Sequence, residues 1–295
     1  MKLCNRVEDP GAWMESTIKS FIKNSPENSL KNEENERAWM NPLVGFSSGD
    51  DPLYQEFKDH IGSFYWTPLE IFSKTFPVSR VKPDDLTVIS WILPHNERTK
   101  SDNRAETAYP SERWVRARIY GEEANEKLRR HVVATLQGSR YEAVAPMLSP
   151  FFERKTSARY GFASTWSERH AAYASGLGTF GLCDGLITPR GKAMRCGSVV
   201  ARIKIAPTER PYSDHHAYCL FFSKGLCGKC IHRCPVEAIT ESGHDKVKCR
   251  QYVRGAVSEY IRSHFGLPEG KVYGCGLCQT GVPCESKVPT EDDVK

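Results

Sequence analysis

The chain has 295 residues, of which 26% are charged and 39% hydrophobic, and its formal net charge is +5. This composition is typical of a soluble globular protein of one large or two ordinary domains. No run approaches the ~18 apolar residues of a membrane helix, and residues 1–6 lack the apolar core of an export signal. We therefore expect a cytoplasmic protein without a membrane partner. Acidic and basic residues alternate along the chain, so nucleic acid is not an expected partner either.

The first predicted elements are a loop, a strand and a helix. Residues 24–42 are polar and predict a surface loop. The apolar, β-rich run 86–93 predicts a strand that is buried on both faces. From Glu112 to Gln137 the pattern is helical, and it ends before Gly138.

The next helix and strand complete the first domain. Thr165 and Glu168 have the spacing of a capping box, which predicts a helix that begins there and stops at Gly176. Another strand is expected over residues 198–205. Helices and strands mixed in this way predict an α/β or α+β domain over residues 1–206.

The placement of the cysteines is the strongest signal in the sequence. Cys4, Cys183 and Cys196 stand apart, and we interpret them as ordinary buried thiols. The other eight of the eleven cysteines fall within residues 219–284. Disulfides would be reduced in a protein without an export signal, so clustered thiols indicate metal. Residues 207–295 are therefore predicted to form a metal-binding domain.

One run of cysteines has the spacing of a bacterial ferredoxin. Cys227, Cys230, Cys234 and Pro235 match the last three cysteines and the proline of C-x2-C-x2-C-x3-C-P. The first cysteine position of that motif falls on a lysine here, and Cys219 is the available substitute.

The fourth cysteine of such a motif serves the other cluster in two-cluster ferredoxins, and this rule divides the ligands into two sets. One 4Fe-4S cluster is assigned Cys219, Cys227, Cys230 and Cys284. The second 4Fe-4S cluster is assigned Cys234, Cys249, Cys275 and Cys278.

Zinc is the alternative metal, because two C-x2-C pairs also suit a tetrahedral site. The proline after Cys234 and the scarcity of histidine at ligand spacing favour iron and sulfide. Gly228, Gly274 and Gly276 point the same way, since glycines beside ligands let backbone amides face the sulfides of a cluster.

Glycines at 176, 178 and 181 form a G-x-G-x-x-G pattern. The pattern follows a helix rather than a strand, so it does not predict a dinucleotide site. A helix cap at Gly176 and a close backbone approach to a large ligand both remain open. The run from 167 to 181 resembles a segment of epoxyqueuosine reductases and reductive dehalogenases. The likeness continues through residues 186–191 and 198–200 and the cysteine sets, over roughly residues 86–284.

The resemblance implies a nitroreductase-like α/β domain that holds a cobalamin, followed by a bacterial ferredoxin-like domain whose two clusters reduce the cobalt. The residues it implies for cofactor binding are Arg169, Gly176, Leu177, Gly178, Thr179 and Gly181. Asp214 and His216 form a near miss to the D-x-H-x-x-G motif of proteins that ligate cobalt through histidine. We interpret His216 as non-ligating and the cobalamin as base-off, with a plain surface loop as the alternative for this segment.

The chain departs from the family pattern at three points. Epoxyqueuosine reductases have an aspartate proton donor seven residues before the position of Arg169, and Phe162 stands there. We find neither the helical-repeat tail that those enzymes direct towards transfer RNA nor the twin-arginine signal of reductive dehalogenases. Tyr160 is the candidate proton donor, with Lys155 and Arg159 as nearby cations. A packing role for Tyr160 is the alternative.

The predicted function is that of an oxidoreductase. In this reading, two clusters take single electrons from an external low-potential donor and pass them to a base-off corrinoid, which reduces an unidentified small organic substrate. The alternatives are an electron-transfer protein that activates the corrinoid of a partner protein, and an iron–sulfur flavoprotein on the same scaffold. Residues 1–80 have no assigned role.

Overall fold

The structure is a computed structural model that describes residues 8–267 and 274–294. Its helices are α1 (Pro10–Asn24), α2 (Leu53–Ile61), α3 (Pro68–Thr75), α4 (Glu97–Ala105), α5 (Glu112–Arg116), α6 (Glu122–Gly138), α7 (Glu168–Ala174), α8 (Leu220–Lys224), α9 (Lys229–His232), α10 (Lys246–Arg254) and α11 (Ala256–His264). Its strands are β1 (Leu43–Ser48), β2 (Thr87–Pro94), β3 (Ala143–Val144), β4 (Arg154–Ser157), β5 (Gly161–Ser164), β6 (Thr179–Phe180), β7 (Leu186–Ile187), β8 (Met194–Ala201), β9 (Ile239–Thr240) and β10 (Gly243–His244). The expected mixture of helices and strands is confirmed.

A four-stranded antiparallel sheet in the order β1-β2-β8-β3 forms the centre of the first region. Strand β2 is buried at all eight positions, as expected for a strand over 86–93. The cause is that side chains alternate across the sheet and helices cover both faces. Ile89 and Trp91 pack in the core beneath α1 and α6, whereas Val88 and Ile92 pack in the core beneath α3 and α7.

A large indole in the sheet is accommodated by the absence of a side chain opposite it. Gly197 of β8 pairs with Trp91 of β2, and a Cβ at Gly197 would lie 2.4 Å from the indole. The indole nitrogen donates a hydrogen bond of 2.9 Å to the side-chain oxygen of Asn125 on α6. This contact fixes α6 on one face of the sheet.

The predicted loop and the first predicted helix are both present, with additions. Residues 25–42 are irregular, but Leu30 and Trp39 are fully buried, so the segment is not only a surface loop. The indole nitrogen of Trp39 donates to the carbonyl of Gly121 over 2.8 Å. The helix predicted from Glu112 is confirmed as α5 and α6, which are joined by a π turn over Ala117–Gly121.

The capping box predicted at Thr165 is wrong. Helix α7 begins at Glu168, and Ser167 is its N-cap. The hydroxyl of Thr165 instead accepts a hydrogen bond of 3.1 Å from the backbone of Glu153. The carboxylate of Glu168 is engaged by the buried Arg129, at 2.9 Å, because an unpaired guanidinium in the core would be costly.

The strand predicted over 198–205 is displaced. Strand β8 covers Met194–Ala201, and its last pair with β2 joins Ala201 to Thr87. Beyond this point the Thr87 hydroxyl takes the place of a strand, since it donates to the carbonyl of Ile203 and accepts from the amide of Ile205.

The cysteine-rich region packs against the first region through several polar contacts. Asn103 donates to the Thr280 hydroxyl over 3.0 Å, and Arg104 forms an ion pair with Glu285, which is 5% exposed. The division at residue 206 stays a prediction. Among residues 8–267 and 274–294, no helix combines the length and the apolar composition that crossing a bilayer requires.

Candidate iron–sulfur site

Four of the predicted ligands surround one space. Cys219, Cys227, Cys230 and Cys284, the cysteines assigned to the first cluster, all line one cavity. They come from the start of α8, the loop before α9, α9 itself and the segment near residue 284. The cavity therefore brings together cysteines that are up to 65 positions apart in the sequence.

The remaining wall of this cavity is apolar apart from Lys192. Leu182, Ile187, Leu220 and Val282 line it, and each is less than 9% exposed. A wall of this kind excludes water from the sulfurs, and the exclusion of solvent is one of the factors that set the reduction potential of a cluster. The donor set and its surroundings fit an iron–sulfur cluster.

The second predicted set also gathers in one place. Burial, together with the neighbouring thiols of Cys249 and Cys234, raises the pKa of Cys275 to about 12. The neighbouring thiol of Cys183 and burial raise the pKa of Cys278, and the charge of Cys275 adds to this. The amide of Ala238 donates to the Cys234 sulfur over 3.2 Å, an amide–sulfur contact of the kind that tunes clusters.

Gly276, one of the glycines expected to free backbone amides, has a steric role as well. Its φ is +69°, a conformation that favours glycine, and a Cβ there would lie 2.0 Å from the indole of Trp114. The loop between Cys275 and Cys278 is thereby held against α5.

Within the described ranges, no group of three or more His, Cys, Asp or Glu side chains is arranged to hold a single metal ion. The four cysteines of the first set line one cavity instead, as described above.

Two residues that the sequence interpretation missed lie between the cysteine sets. The thiol of Cys183 is buried, as interpreted, and it interacts with the thiols of Cys230 and Cys278. The ammonium of Lys192 lies 3.2 Å from the Cys183 sulfur, and its charge also acts on Cys284. The two thiols, helped by the Lys192 charge, outweigh burial and lower the pKa of Cys183. The sequence interpretation did not place Cys183 beside members of both cysteine sets.

The backbone around Lys192 is built to bring its side chain inward. A Cβ at Gly185 would lie 2.8 Å from the Cδ of Lys192, so the glycine leaves room for the lysine stem. Gly191 has a φ of +79°, and its Cα lies against the backbone of Glu285. The amide of Lys192 donates to the carbonyl of Cys284 over 2.8 Å. Gly185 and Gly191 are visible in the sequence, but the sequence alone does not show that they make room for the side chain of Lys192.

The glycines predicted to form a wall for a corrinoid face protein instead. A Cβ at Gly176, whose φ is +76°, would lie 2.7 Å from the carbonyl oxygen of Glu209. A Cβ at Gly178 would lie 2.2 Å from the carbonyl oxygen of Ile187, and one at Gly181 would lie 3.2 Å from the Ile187 side chain. These glycines are explained by close packing of the chain on itself.

The segment of residues 212–218 covers the same loop. The amide of Phe180 donates to the carbonyl of His215 over 2.7 Å, and the amide of Tyr218 donates to the Thr179 hydroxyl over 2.9 Å. His216 contacts the carbonyl of Phe180 through Nδ1, at 2.8 Å. This histidine has a structural role, and the loop, with Thr179 and Leu177 both buried, does not fit a corrinoid on this side.

The candidate proton donor lies on a separate feature, the hairpin of β4 and β5. Tyr160 occupies its turn and is 39% exposed. Lys246 of α10 lies 5.6 Å from the Tyr160 ring, and Arg250 lies 4.2 Å from the ring of Phe162. Lys155 pairs with Glu153. The hairpin is thus packed beside the helix that carries Cys249 and lies away from the first cysteine set.

A polar chain connects the glycine loop to Cys249. Asp184 accepts from His244 over 3.1 Å and pairs with Lys246 at 3.6 Å, while its carbonyl accepts from Arg169. Burial opposes charge on His244, but its bonds to Asp184 and Cys249 outweigh burial and raise its pKa to about 10. Arg169 therefore holds the loop and shows no contact that assigns it to a cofactor.

The chain is similar to epoxyqueuosine reductases. The curated enzyme of that name from Staphylococcus aureus is 29% identical over 132 residues, which is 43% of this chain and 32% of that protein. The matched part thus spans about a third of the length of this curated relative. No family model matches the chain. The resemblance stated from the sequence is confirmed.

Solved structures with the same fold include a catabolic reductive dehalogenase in complex with 3-bromo-4-hydroxybenzoic acid. It is 13% identical, with a TM-score of 0.50 over 96% of this chain and 38% of that one. An epoxyqueuosine reductase with a modified tRNA stem loop is 17% identical, with a TM-score of 0.46 over 96% of this chain and 70% of that one. The expectation that nucleic acid is not a partner of this chain stays a prediction beside that finding.

Proposed function

We propose that this chain is an iron–sulfur oxidoreductase that binds two 4Fe-4S clusters through eight cysteines and delivers single electrons to an acceptor. When bound, such clusters take up and release one electron at a time. The observation that carries the proposal is the cavity lined by Cys219, Cys227, Cys230 and Cys284, together with the second gathering around Cys275.

The protein's own part in this function is to hold, separate and shield the two sets. Cys183 contacts Cys230 of the first set and Cys278 of the second, so a single side chain separates the two sites. Sites this close together support electron transfer from one to the other. Leu220 and Val282 keep water from the first site, which protects reduced sulfur from hydrolysis and oxidation.

The proposed route for electrons ends near the β4–β5 hairpin. The second set includes Cys249 on α10, and the same helix carries Lys246 beside Tyr160 and Arg250 beside Phe162. Two exposed rings and two cations at this place suit an aromatic or anionic organic acceptor. Tyr160 remains the proposed proton donor, since its ring is accessible there.

A corrinoid is the acceptor that the resemblance implies, but a Cβ added at Gly176 or Gly178 would meet protein backbone, which argues against a corrinoid on that side of the loop. No step of the proposed function therefore runs through a corrinoid. The alternative acceptors are a flavin held by the same fold and the corrinoid of a partner protein. The analysis of cobalt and flavin content described next distinguishes them.

The test is anaerobic purification followed by analysis of iron, sulfide, cobalt and flavin. We expect about eight iron and eight sulfide per chain, since each 4Fe-4S cluster holds four of each. Iron below one per chain after reconstitution, or zinc at one or two equivalents, would falsify the proposal. Cobalt or flavin at one equivalent would identify the resident acceptor, and their absence would favour a diffusible one.

The division of ligands is tested by Cys234→Ala. Because Cys234 lies with Cys275, this variant is expected to lose the second cluster and keep the first, with about four iron remaining. Cys196→Ala is the control, because Cys196 is a buried cysteine that contacts Met194 rather than either set. Electron paramagnetic resonance of the reduced proteins resolves the two signals. Loss of the signal of the first cluster instead would mean that Cys234 is a ligand of the first cluster.

A further inference from the structure

Lys192 lies between the two sets, where the structure buries its cation among thiols. The residue is 2% exposed, and it lines the cavity of the first set. In the described part of the chain, no carboxylate lies within 4.0 Å of its ammonium. The ammonium lies 3.2 Å from the sulfur of Cys183, the Lys192 amide donates to the carbonyl of Cys284, and the charges of Cys284, Cys230 and Cys278 act on the ammonium.

A buried ammonium without a carboxylate partner is unstable unless other negative charge faces it. Apart from Cys183, the thiols whose charge acts on Lys192 are ligands of the two proposed clusters, so the clusters add negative charge to that of Cys183. Each electron that a cluster accepts makes it more negative. A fixed cation therefore favours the reduced state, and in a dry site its effect is screened far less than that of a surface charge.

We propose that Lys192 tunes the two clusters, raising their reduction potentials by stabilising the reduced forms. This inference rests on the proposed function, because it requires the clusters. The first cluster is affected more, since Lys192 contacts Cys284 directly and lines that cavity, whereas the second cluster is reached through Cys278. Lys192 is in this sense a tuning residue and not a ligand.

The experiment compares wild-type protein with Lys192→Met and Lys229→Met, all purified anaerobically. Methionine replaces most of the lysine stem without its charge. Lys229 stands between Cys227 and Cys230 in the sequence but is exposed, so its charge is screened by water. Iron is counted first, and the midpoint potentials of both clusters are then measured by titration with dithionite, followed by electron paramagnetic resonance.

We expect Lys192→Met to make reduction of the first cluster at least tenfold less favourable, which is a shift of about 59 mV to more negative potential. The second cluster should shift in the same direction by less, and Lys229→Met should leave both close to wild type. Potentials of Lys192→Met equal to those of Lys229→Met, with full iron content, overturn the inference and leave the proposed function intact. Absence of iron in the wild type overturns the proposed function itself.

Lys192→Arg covers the case in which Lys192→Met fails to assemble its clusters. If the arginine variant retains iron and potentials near those of the wild type, the positive charge is what the site requires. If both variants lose their iron, Lys192 has a packing role only, and the inference is rejected.

Discussion

The sheet region and the cysteine region are stabilised in different ways. Each face of the sheet carries a core of 20 buried hydrophobic residues that includes tryptophans. Among the described residues, the core next to the cysteine sets has seven, of which three are Cys183, Cys219 and Cys230, and a further cluster of five joins α11 to α5 and the π turn. The first region is stabilised mainly by apolar burial, whereas the second has less of it and is expected to depend on metal binding to its thiols.

This difference indicates which region is expected to need bound metal in order to stay folded. A small region with few buried apolar residues is marginal, and metal-binding energy then becomes folding energy. The proposed clusters would therefore be structural as well as redox-active. Lys192 illustrates the dependence, because a buried ammonium surrounded by thiols needs their negative charge.

The largest effect is expected from removing the metal. Chelation of iron under mild oxidation should abolish amide protection across residues 219–264 and 274–284, because the cysteine region loses its main source of stability. Amides of β2 and β8 should keep their protection, since both strands lie in the middle of the sheet. Hydrogen exchange followed by mass spectrometry, on protein with and without clusters, measures both. Equal amide protection of the cysteine region in the two samples would contradict the inference that this region depends on bound metal.

The second effect concerns the buried ion network of the sheet region. Arg129 is 2% exposed and bonds both Glu168, at 2.9 Å, and Glu122, at 3.1 Å. Glu168→Gln removes one of its two carboxylates and is expected to lower the free energy of unfolding by about 3–5 kcal/mol. Urea unfolding followed by circular dichroism measures this loss.

The matched control is Glu153→Gln, which breaks the ion pair of Glu153 with Lys155 on the surface. Exposed pairs of this kind contribute at most about 1 kcal/mol. The difference in the free energy of unfolding between Glu168→Gln and Glu153→Gln should be the same in protein with clusters and in protein without them. A loss at Glu168 that appeared only in cluster-containing protein would show that the two regions are not independent.

The parts predicted from sequence are those with a local cause. The run 86–93 is apolar throughout, so its burial as β2 could be read directly. The division of the cysteines into two ligand sets follows from their spacing and stays a prediction. The capping box at Thr165 failed because Glu168 is recruited by Arg129, 39 positions away, and sequence alone does not show that partner. Lys192 was missed for the same reason, since its neighbours come from distant segments.

The third effect tests the glycine loop of the first region, where Gly178 meets Ile187. Gly178→Ala should cost about 1–3 kcal/mol, because the new methyl group would lie 2.2 Å from the Ile187 carbonyl oxygen and force a rearrangement. Gly138→Ala is the control, since nothing lies within 4 Å of its Cβ position at the end of α6. Thermal unfolding compares the two. If Gly178→Ala were as stable as the control, the loop would have room for a ligand after all.

The smallest effect is a dependence of stability on pH at the edge of the sheet region. The ring of His170 packs 4.8 Å from Phe57 and 4.9 Å from Phe180, and its Nδ1 contacts the Ser167 hydroxyl at 2.8 Å. Burial, helped by the charge of Arg169, lowers the pKa of His170 to about 3. In the unfolded chain a histidine titrates near 6.5.

Between these two values the unfolded state binds a proton that the folded state does not. The contribution of His170 to stability is therefore complete above about pH 6.5 and is lost as the pH falls towards 3. The loss amounts to at most about 1.4 kcal/mol per pH unit. His170→Phe keeps an apolar ring among Phe57 and Phe180 but cannot take up a proton. Urea unfolding of both proteins at pH 7, 6 and 5 (about one unit apart) should show the wild type losing stability relative to His170→Phe as the pH falls, because only the wild type loses this contribution. Parallel curves would mean that the ring is protonated in the folded protein, and that this edge of the sheet region is open to water.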